Sequence, residues 1–207
     1  MDQKILNKLT YGLFVITTNK DGHDNGCMTN TVVQLTSEPL KIGVALNKAS
    51  LTCEMIADTK KFTVSILNEN ATFDIVKHFG FQSGRSVDKF ANYVDCTREL
   101  NGTLAITAGT NAYISADVVK QVDLGSHFLF IASITDSGIF NDIPSATYAY
   151  YFSKIKPQTE TQAETVEGQA MWKCKVCGYV YVGDEIPVDF VCPICKHPAS
   201  YFEKVTN

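Results

Sequence analysis

The sequence predicts a mainly β domain, a closed antiparallel sheet with short helices, followed by a small metal-held module. Three observations predict it. Short β-rich runs recur at regular spacing, with turn signals and brief helix-compatible segments between them. The composition then changes abruptly over residues 157–170. Beyond that stretch, two C-x-x-C pairs stand fourteen residues apart.

Residues 11–18 form the first β-rich run, and Asp21-Gly22 gives a turn signal soon after. Residues 28–36 and 40–46 are the next two runs, parted by Ser37-Glu38-Pro39. A Ser-led, helix-compatible segment covers 50–59. Residues 62–67 read as an apolar strand and 71–79 as a short helix. Later candidates in the β-rich series are 112–121, 127–135 and 146–152, with Asp123 and Gly125 suiting a tight hairpin turn between the first two. Neither the G-x-G-x-x-G fingerprint nor a P-loop is present, so a nucleotide-like cofactor must be held another way.

Residues 157–170 read PQTETQAETVEGQA, with three Glu, no basic residue and no aromatic. Such a stretch cannot bury enough apolar surface to offset its ordering entropy, so it is expected to be a flexible acidic linker. The expected division is a domain over 1–156, the linker over 157–170 and a module over 171–207.

A hydrophobic fraction of 45% and a charged fraction of 19% are those of a soluble globular protein. The net charge of −4, with no Lys/Arg stripe, argues against a nucleic-acid partner. The apolar run at 13–16 is too short for a signal-peptide core. No stretch approaches the roughly 18–20 apolar residues of a membrane span. The expected compartment is the cytoplasm, where disulfides are rare. Seven cysteines, an odd count, then read as metal ligands or buried thiols.

Cys174, Cys177, Cys192 and Cys195 carry the strongest chemistry. Each C-x-x-C turn folds two thiolates toward one point, so two turns supply four soft ligands at tetrahedral geometry, suiting zinc or a single iron. Gly178 can take the positive φ that such a turn needs. Trp172, Tyr179, Tyr181, Phe190 and Phe202 are spread to form a small core around the metal. Cys27, Cys53 and Cys96 have no partner spacing and read as buried or idle thiols.

WKCKVCGY followed by CPIC resembles a rubredoxin, and CPICKHPASYFE is similar to the tail domain of rubrerythrins. The resemblance implies iron. Lys196 stands where rubredoxins usually have a second glycine, which keeps zinc as the alternative. An iron–tetrathiolate moves one electron at a time, whereas NAD(P)H gives a hydride; a flavin converts one into the other. LTYGLFVITT at 9–18, NGCMT at 25–29, SEPL at 37–40 and LNKAS at 46–50 follow the order of the flavin reductase family. That resemblance implies an FMN-binding split β-barrel of Greek-key type, NAD(P)H as co-substrate, and a homodimer with FMN near its interface.

Under the same resemblance, Thr29, Asn30, Thr31 and Gln34 lie on one strand along the flavin, with the two threonines on one face and Asn30 and Gln34 on the other. Asn47, Lys48 and Ser50 precede a helix and offer phosphate donors at a positive helix end. Ser50 equally suits a plain N-cap, and Lys48 a solvated charge. Ser83, Gly84 and Arg85 resemble a family loop beside the flavin, Arg85 suiting a phosphate; an ordinary surface loop is the alternative. His127 matches a family histidine near the nicotinamide, or is a polar strand edge. No side-chain nucleophile or general base is needed, since the cofactors carry the chemistry.

The whole architecture resembles the high-molecular-weight rubredoxins. That implies an NAD(P)H:rubredoxin-type oxidoreductase passing electrons through FMN to iron, then to an acceptor such as a flavodiiron oxygen or nitric oxide reductase. Two alternatives stand beside it: a flavin reductase feeding a monooxygenase, and a zinc-ribbon docking or regulatory protein.

Overall fold

The computed structural model describes residues 5, 8–157, 170–175, 178–193 and 197–205. The chain divides into two compact units, Met1–Lys156 and Pro157–Asn207. The expected linker lies, from residue 158 to 169, outside the described residues.

In the first unit, strand β1, Phe14–Lys20, turns through Asp21 and Gly22 into β2, His23–Thr29. Both turn residues have positive φ, 52° and 83°, as a two-residue hairpin demands. After Asn30 and Thr31 comes β3, Val32–Ser37, which folds back at Glu38-Pro39 into β4, Leu40–Asn47. The expected single run over 28–36 is therefore corrected to two strand pieces. β2 pairs with β1 and β3 with β4, so the chain leaves one ladder for the other within two residues.

Helix α1, Leu51–Thr59, leads into β5, Lys61–Leu67, and α2, Phe73–Gly80, follows. A small hairpin, β6 (Cys96–Arg98) and β7 (Leu104–Ile106), precedes the long hairpin of β8 (Thr110–Asp123) and β9 (His127–Ile139). The candidate run at 146–152 is helical rather than extended: α3, Tyr148–Tyr150, runs on into a π-helical turn, Tyr151–Ile155. Thr147 decides this locally, its hydroxyl accepting the Tyr150 N–H at 3.0 Å as an N-cap.

The seven long strands form one antiparallel sheet in the order β2-β1-β5-β8-β9-β4-β3. Its two outermost strands are consecutive in sequence, joined by Asn30 and Thr31, so the sheet curls until its ends approach. The inner core consists of Ile16, Val44, Phe62, Val64 and Phe130 with Cys53 and Ile56 of α1. Each such fully buried side chain contributes about 1.5–3 kcal/mol relative to exposure. A second core lies where α2 and the C-terminal helix pack Ile75, Val76, Phe79, Tyr151 and Ile155 against Val15 and Leu67. β1 and β5 are thereby buried on both faces.

In the second unit, β10 (Met171–Cys174) lies between β11 (Val180–Val182) and β12 (Phe202–Val205). Phe190 is its aromatic centre, with ring centroids 4.7 Å from Tyr181 and 5.4 Å from Phe202. Among the described residues, no helix is long and apolar enough to cross a membrane.

Candidate functional site

The structure gathers most of the nominated residues of the first unit around the N-terminus of α1. β4 supplies the floor. Val44 and Leu46 point into the core, so Ala45 and Asn47 point to the opposite face, together with their β9 partners Leu129 and His127. The β2–β3 junction closes on this floor. Thr29 and Thr31 place their hydroxyls 2.8 Å apart, and both reach the Ala45 carbonyl, at 3.3 and 2.8 Å. The two threonines share a face as expected, although Thr29 ends one strand and Thr31 precedes the next. Asn30 lies at the junction between them. Gln34 sits out on exposed β3, its amide donating to Thr36 O at 3.5 Å, and the structure does not bring it to the other donors.

The turn from β4 into α1 is tightly tied. Asn47 Oδ1 accepts the Ala49 N–H at 2.9 Å, and the Lys48 N–H donates to Ser126 O at 3.1 Å. Ser126 Oγ in turn meets His127 Nδ1 at 2.8 Å. The Lys48 ammonium is engaged by Asp123 and lies 4.5 Å from the Phe128 ring centroid. That hydrogen bond holds the Asp123 carboxyl below its ordinary pKa. An incoming phosphate therefore meets Lys48 already paired.

Ser50 occupies the N-cap position with extended backbone but makes no capping hydrogen bond. Its hydroxyl, like that of Thr52, instead faces the Cys27 thiol. Burial pushes the pKa of that thiol up, while the two hydroxyls and the Lys89 charge pull it the other way. The first N–H groups of α1 are thus left without a side-chain cap, at the end where the helix dipole favours an anion.

The 83–89 segment packs against the same place. Gly84 lies against β2: a Cβ there would fall 2.4 Å from Asn25 Oδ1. Asn25 is 2% exposed and donates to Thr52 Oγ1 at 3.2 Å. Ser83 Oγ accepts the Arg85 N–H at 3.3 Å, and Arg85 Nη2 donates to Glu54 Oε2 of α1 at 2.7 Å. One guanidinium nitrogen is thereby used, leaving further N–H groups for an anion. Sequence reasoning passed over Lys89, whose ammonium is buried at 3% exposure beneath this cluster. Its flanks, Asp88 and Phe90, carry no periodicity that would have marked it.

The donor set fits a flavin phosphate: hydroxyls, an arginine with spare donors, an uncapped helix N-terminus, and a glycine where a side chain would not fit. Thr29, Thr31, Asn47 and His127 line the adjoining floor.

In the second unit, Cys174 and Cys192 are buried, at 1% and 0% exposure. The Cys174 N–H donates to Tyr179 O and its carbonyl accepts the Gly178 N–H, each at 2.8 Å. Gly178 has φ +76°, the left-handed conformation expected of it. Around Cys192, the backbone N–H donates to His197 O at 2.8 Å. Cys177 and Cys195 lie outside the described residues. Two buried thiols, one from each C-x-x-C pair, suit a thiolate-bound metal.

Two domain families match the chain. The model of the flavin reductase like domain covers residues 6–159, and that of the rubrerythrin, rubredoxin-like domain covers 172–203. The chain belongs to the flavin reductase family. One relative matches along the whole chain: it is 34% identical over 230 residues to the high molecular weight rubredoxin of Moorella thermoacetica, covering 99% of this chain and 100% of that one. It is also 34% identical to a ferric-chelate reductase (NAD(P)H) of Archaeoglobus fulgidus, over 79% of this chain and 96% of that protein. Among solved structures, the flavin reductase PheA2 superposes with a TM-score of 0.56 at 28% identity, over 69% of this chain and 90% of that one. This flavin reductase family member is an oxidoreductase of flavin-based electron transfer. Its two domains are of flavin reductase and rubredoxin kind, which use a flavin and a thiolate-bound iron.

Proposed function

We propose that the chain is an NAD(P)H:rubredoxin-type oxidoreductase, delivering electrons through its tail module to an acceptor protein such as a flavodiiron oxygen or nitric oxide reductase. The observation that carries this reading is the joining, in one chain, of a flavin reductase like domain to a rubredoxin-like domain with buried C-x-x-C thiols. When bound, FMN accepts a two-electron hydride and releases electrons singly, which matches a one-electron metal centre.

The residues divide the work. Ser50, Ser83, Gly84 and Arg85, with the N–H groups of α1, hold the phosphate. Thr29, Asn30, Thr31 and Asn47 orient the ring, and His127 borders the nicotinamide side. Lys48 joins the phosphate site by exchanging Asp123 for the anion, while Gln34, out on β3, stays apart from it. Cys174, Cys177, Cys192 and Cys195 hold one iron. Residues 157–170 act as a tether between the two domains, in a protein of the reducing cytoplasm.

We further propose a homodimer. Val33 and Leu35 on edge strand β3 are 57% and 42% exposed, on the face that continues into Leu129 and Ile131 of β9. A second copy covering that face would also close over the flavin floor. Light scattering of the purified protein should return twice the chain mass.

The acceptor is tested by mixing anaerobically reduced protein with candidate acceptors in a stopped-flow instrument. Reoxidation by a flavodiiron protein at a rate saturating in that partner supports the reading. The monooxygenase-feeding alternative is separated by gel filtration: a protein that sheds all its FMN acts by release, one that retains it acts by internal transfer.

A further inference from the structure

We infer that Lys89 places a fixed positive charge behind the flavin-phosphate cradle and sets the preference of the site for phosphorylated over unphosphorylated flavin. The inference rests on the FMN reading above. Lys89 is 3% exposed, and its ammonium donates to Gly26 O at 2.8 Å and Phe79 O at 3.1 Å. Among the described residues no carboxylate forms an ion pair with it. Burial pulls its pKa down from the ordinary lysine value, the sign of a charge held at a cost. Two neutral carbonyls answer such a charge poorly, and a buried cation is normally matched by an anion.

The surroundings show where that anion belongs. Lys89 bonds to β2 at Gly26, between Asn25 and Cys27. Asn25 holds Thr52 and supports Gly84, while the Cys27 thiol faces the hydroxyls of Ser50 and Thr52. The ammonium therefore backs the strand whose other contacts run to the first turn of α1 and to the 83–85 loop. A phosphate dianion seated there supplies the negative charge that Lys89 lacks. Low polarisability around the buried ammonium carries its field to the anion with less screening than a surface lysine would suffer.

A purely structural strap explains the two carbonyl bonds equally well, so the test must read charge rather than folding. Apoprotein of the full chain is titrated with FMN and with riboflavin, which lacks the phosphate, for wild type, K89M and K89R. The wild type should prefer FMN. K89M should lose about tenfold in FMN affinity, equivalent to about 1.4 kcal/mol, with riboflavin affinity unchanged. K89R should retain most of the preference. If K89M does not fold, K89Q keeps an amide donor for the carbonyls without the charge, and the same ratio is read. A wild type that prefers FMN while the neutral variant keeps the same ratio overturns the inference alone. Equal losses for both flavins overturn it too, since they mark a strap. A wild type that binds neither flavin overturns the FMN reading and this inference with it.

Discussion

Replacing Gly84 by alanine would set a methyl carbon 2.4 Å from Asn25 Oδ1 and 2.6 Å from Nδ2, well inside van der Waals contact. Asn25 cannot simply swing aside. It is 2% exposed, and its amide is committed to Thr52 at the start of α1. Either that hydrogen bond breaks, at a net cost of about 1 kcal/mol, or the loop lifts. Overpacking of this kind costs about 1–3 kcal/mol. Lifting the loop carries Ser83 and Arg85 away from α1, so the cost appears in phosphate binding. A penalty near 2 kcal/mol corresponds to a roughly 30-fold weaker FMN affinity. Fluorescence-quenching titration of the apoprotein reads this directly. The clash also has a defined partner: N25A/G84A removes the obstructing amide and should recover most of the affinity lost in G84A, a coupling that a double-mutant cycle isolates. Unchanged FMN affinity in G84A, or a double variant no better than the single, would refute the placement of this loop against the cradle.

Other consequences can be measured separately. Phe79 is 1% exposed and its ring meets those of Phe90 and Tyr93 at 5.6 and 5.2 Å, so F79A should cost about 3–5 kcal/mol in denaturant unfolding of the first unit. Cys192 is fully buried, and C192S should abolish stoichiometric iron by elemental analysis while leaving FMN content unchanged. The Asp123 carboxyl has a folded-state pKa depressed by Lys48. Its contribution to stability is therefore present above the unfolded value of about 3.9 and is lost as pH falls through the lower folded one. D123N should remove that contribution, lowering stability slightly at neutral pH and flattening the profile in the acid window, with no difference from wild type below it.

Most of the sheet was legible because its strands obey the rules that sequence patterns encode. β4, β5, β8 and β9 are apolar and β-branched, and Asp123 and Gly125 stand where the long hairpin turns. β2 escaped because HDNGCMT has almost no β-propensity; its pairing with β1 is imposed by the Asp21-Gly22 turn. The β6–β7 hairpin escaped for another reason. It is anchored through hydroxyls, with Thr63 Oγ1 2.6 Å from Thr103 Oγ1, Ser65 Oγ accepting the Ile106 N–H, and Thr17 bonded to Leu104 O. No apolar period announces that kind of contact.

The site divides similarly. The Cys spacing pointed to four metal ligands; of these Cys174 and Cys192 are among the described residues and buried, with Gly178 in the left-handed conformation. The two readings of Ser50, cap or ligand, could not be separated in sequence, since both want a hydroxyl at that position; in the fold that hydroxyl makes no capping bond and faces Cys27. Lys48 and Arg85 were visible as charges, but their partners Asp123 and Glu54 lie 75 and 31 residues away and became apparent only in the fold. Lys89 was invisible because burial of a lysine is a tertiary fact.

The central claim is that one chain joins an NAD(P)H-reducible flavin to an iron–tetrathiolate that it reduces. The most direct measurement is an absorption spectrum of the purified protein before and after anaerobic addition of NADH and, separately, NADPH. Flavin and ferric-thiolate bands present together, and bleaching together with at least one nucleotide, are the result expected. A protein whose flavin bleaches while its iron stays oxidised, or a colourless one carrying one zinc per chain, would contradict the account.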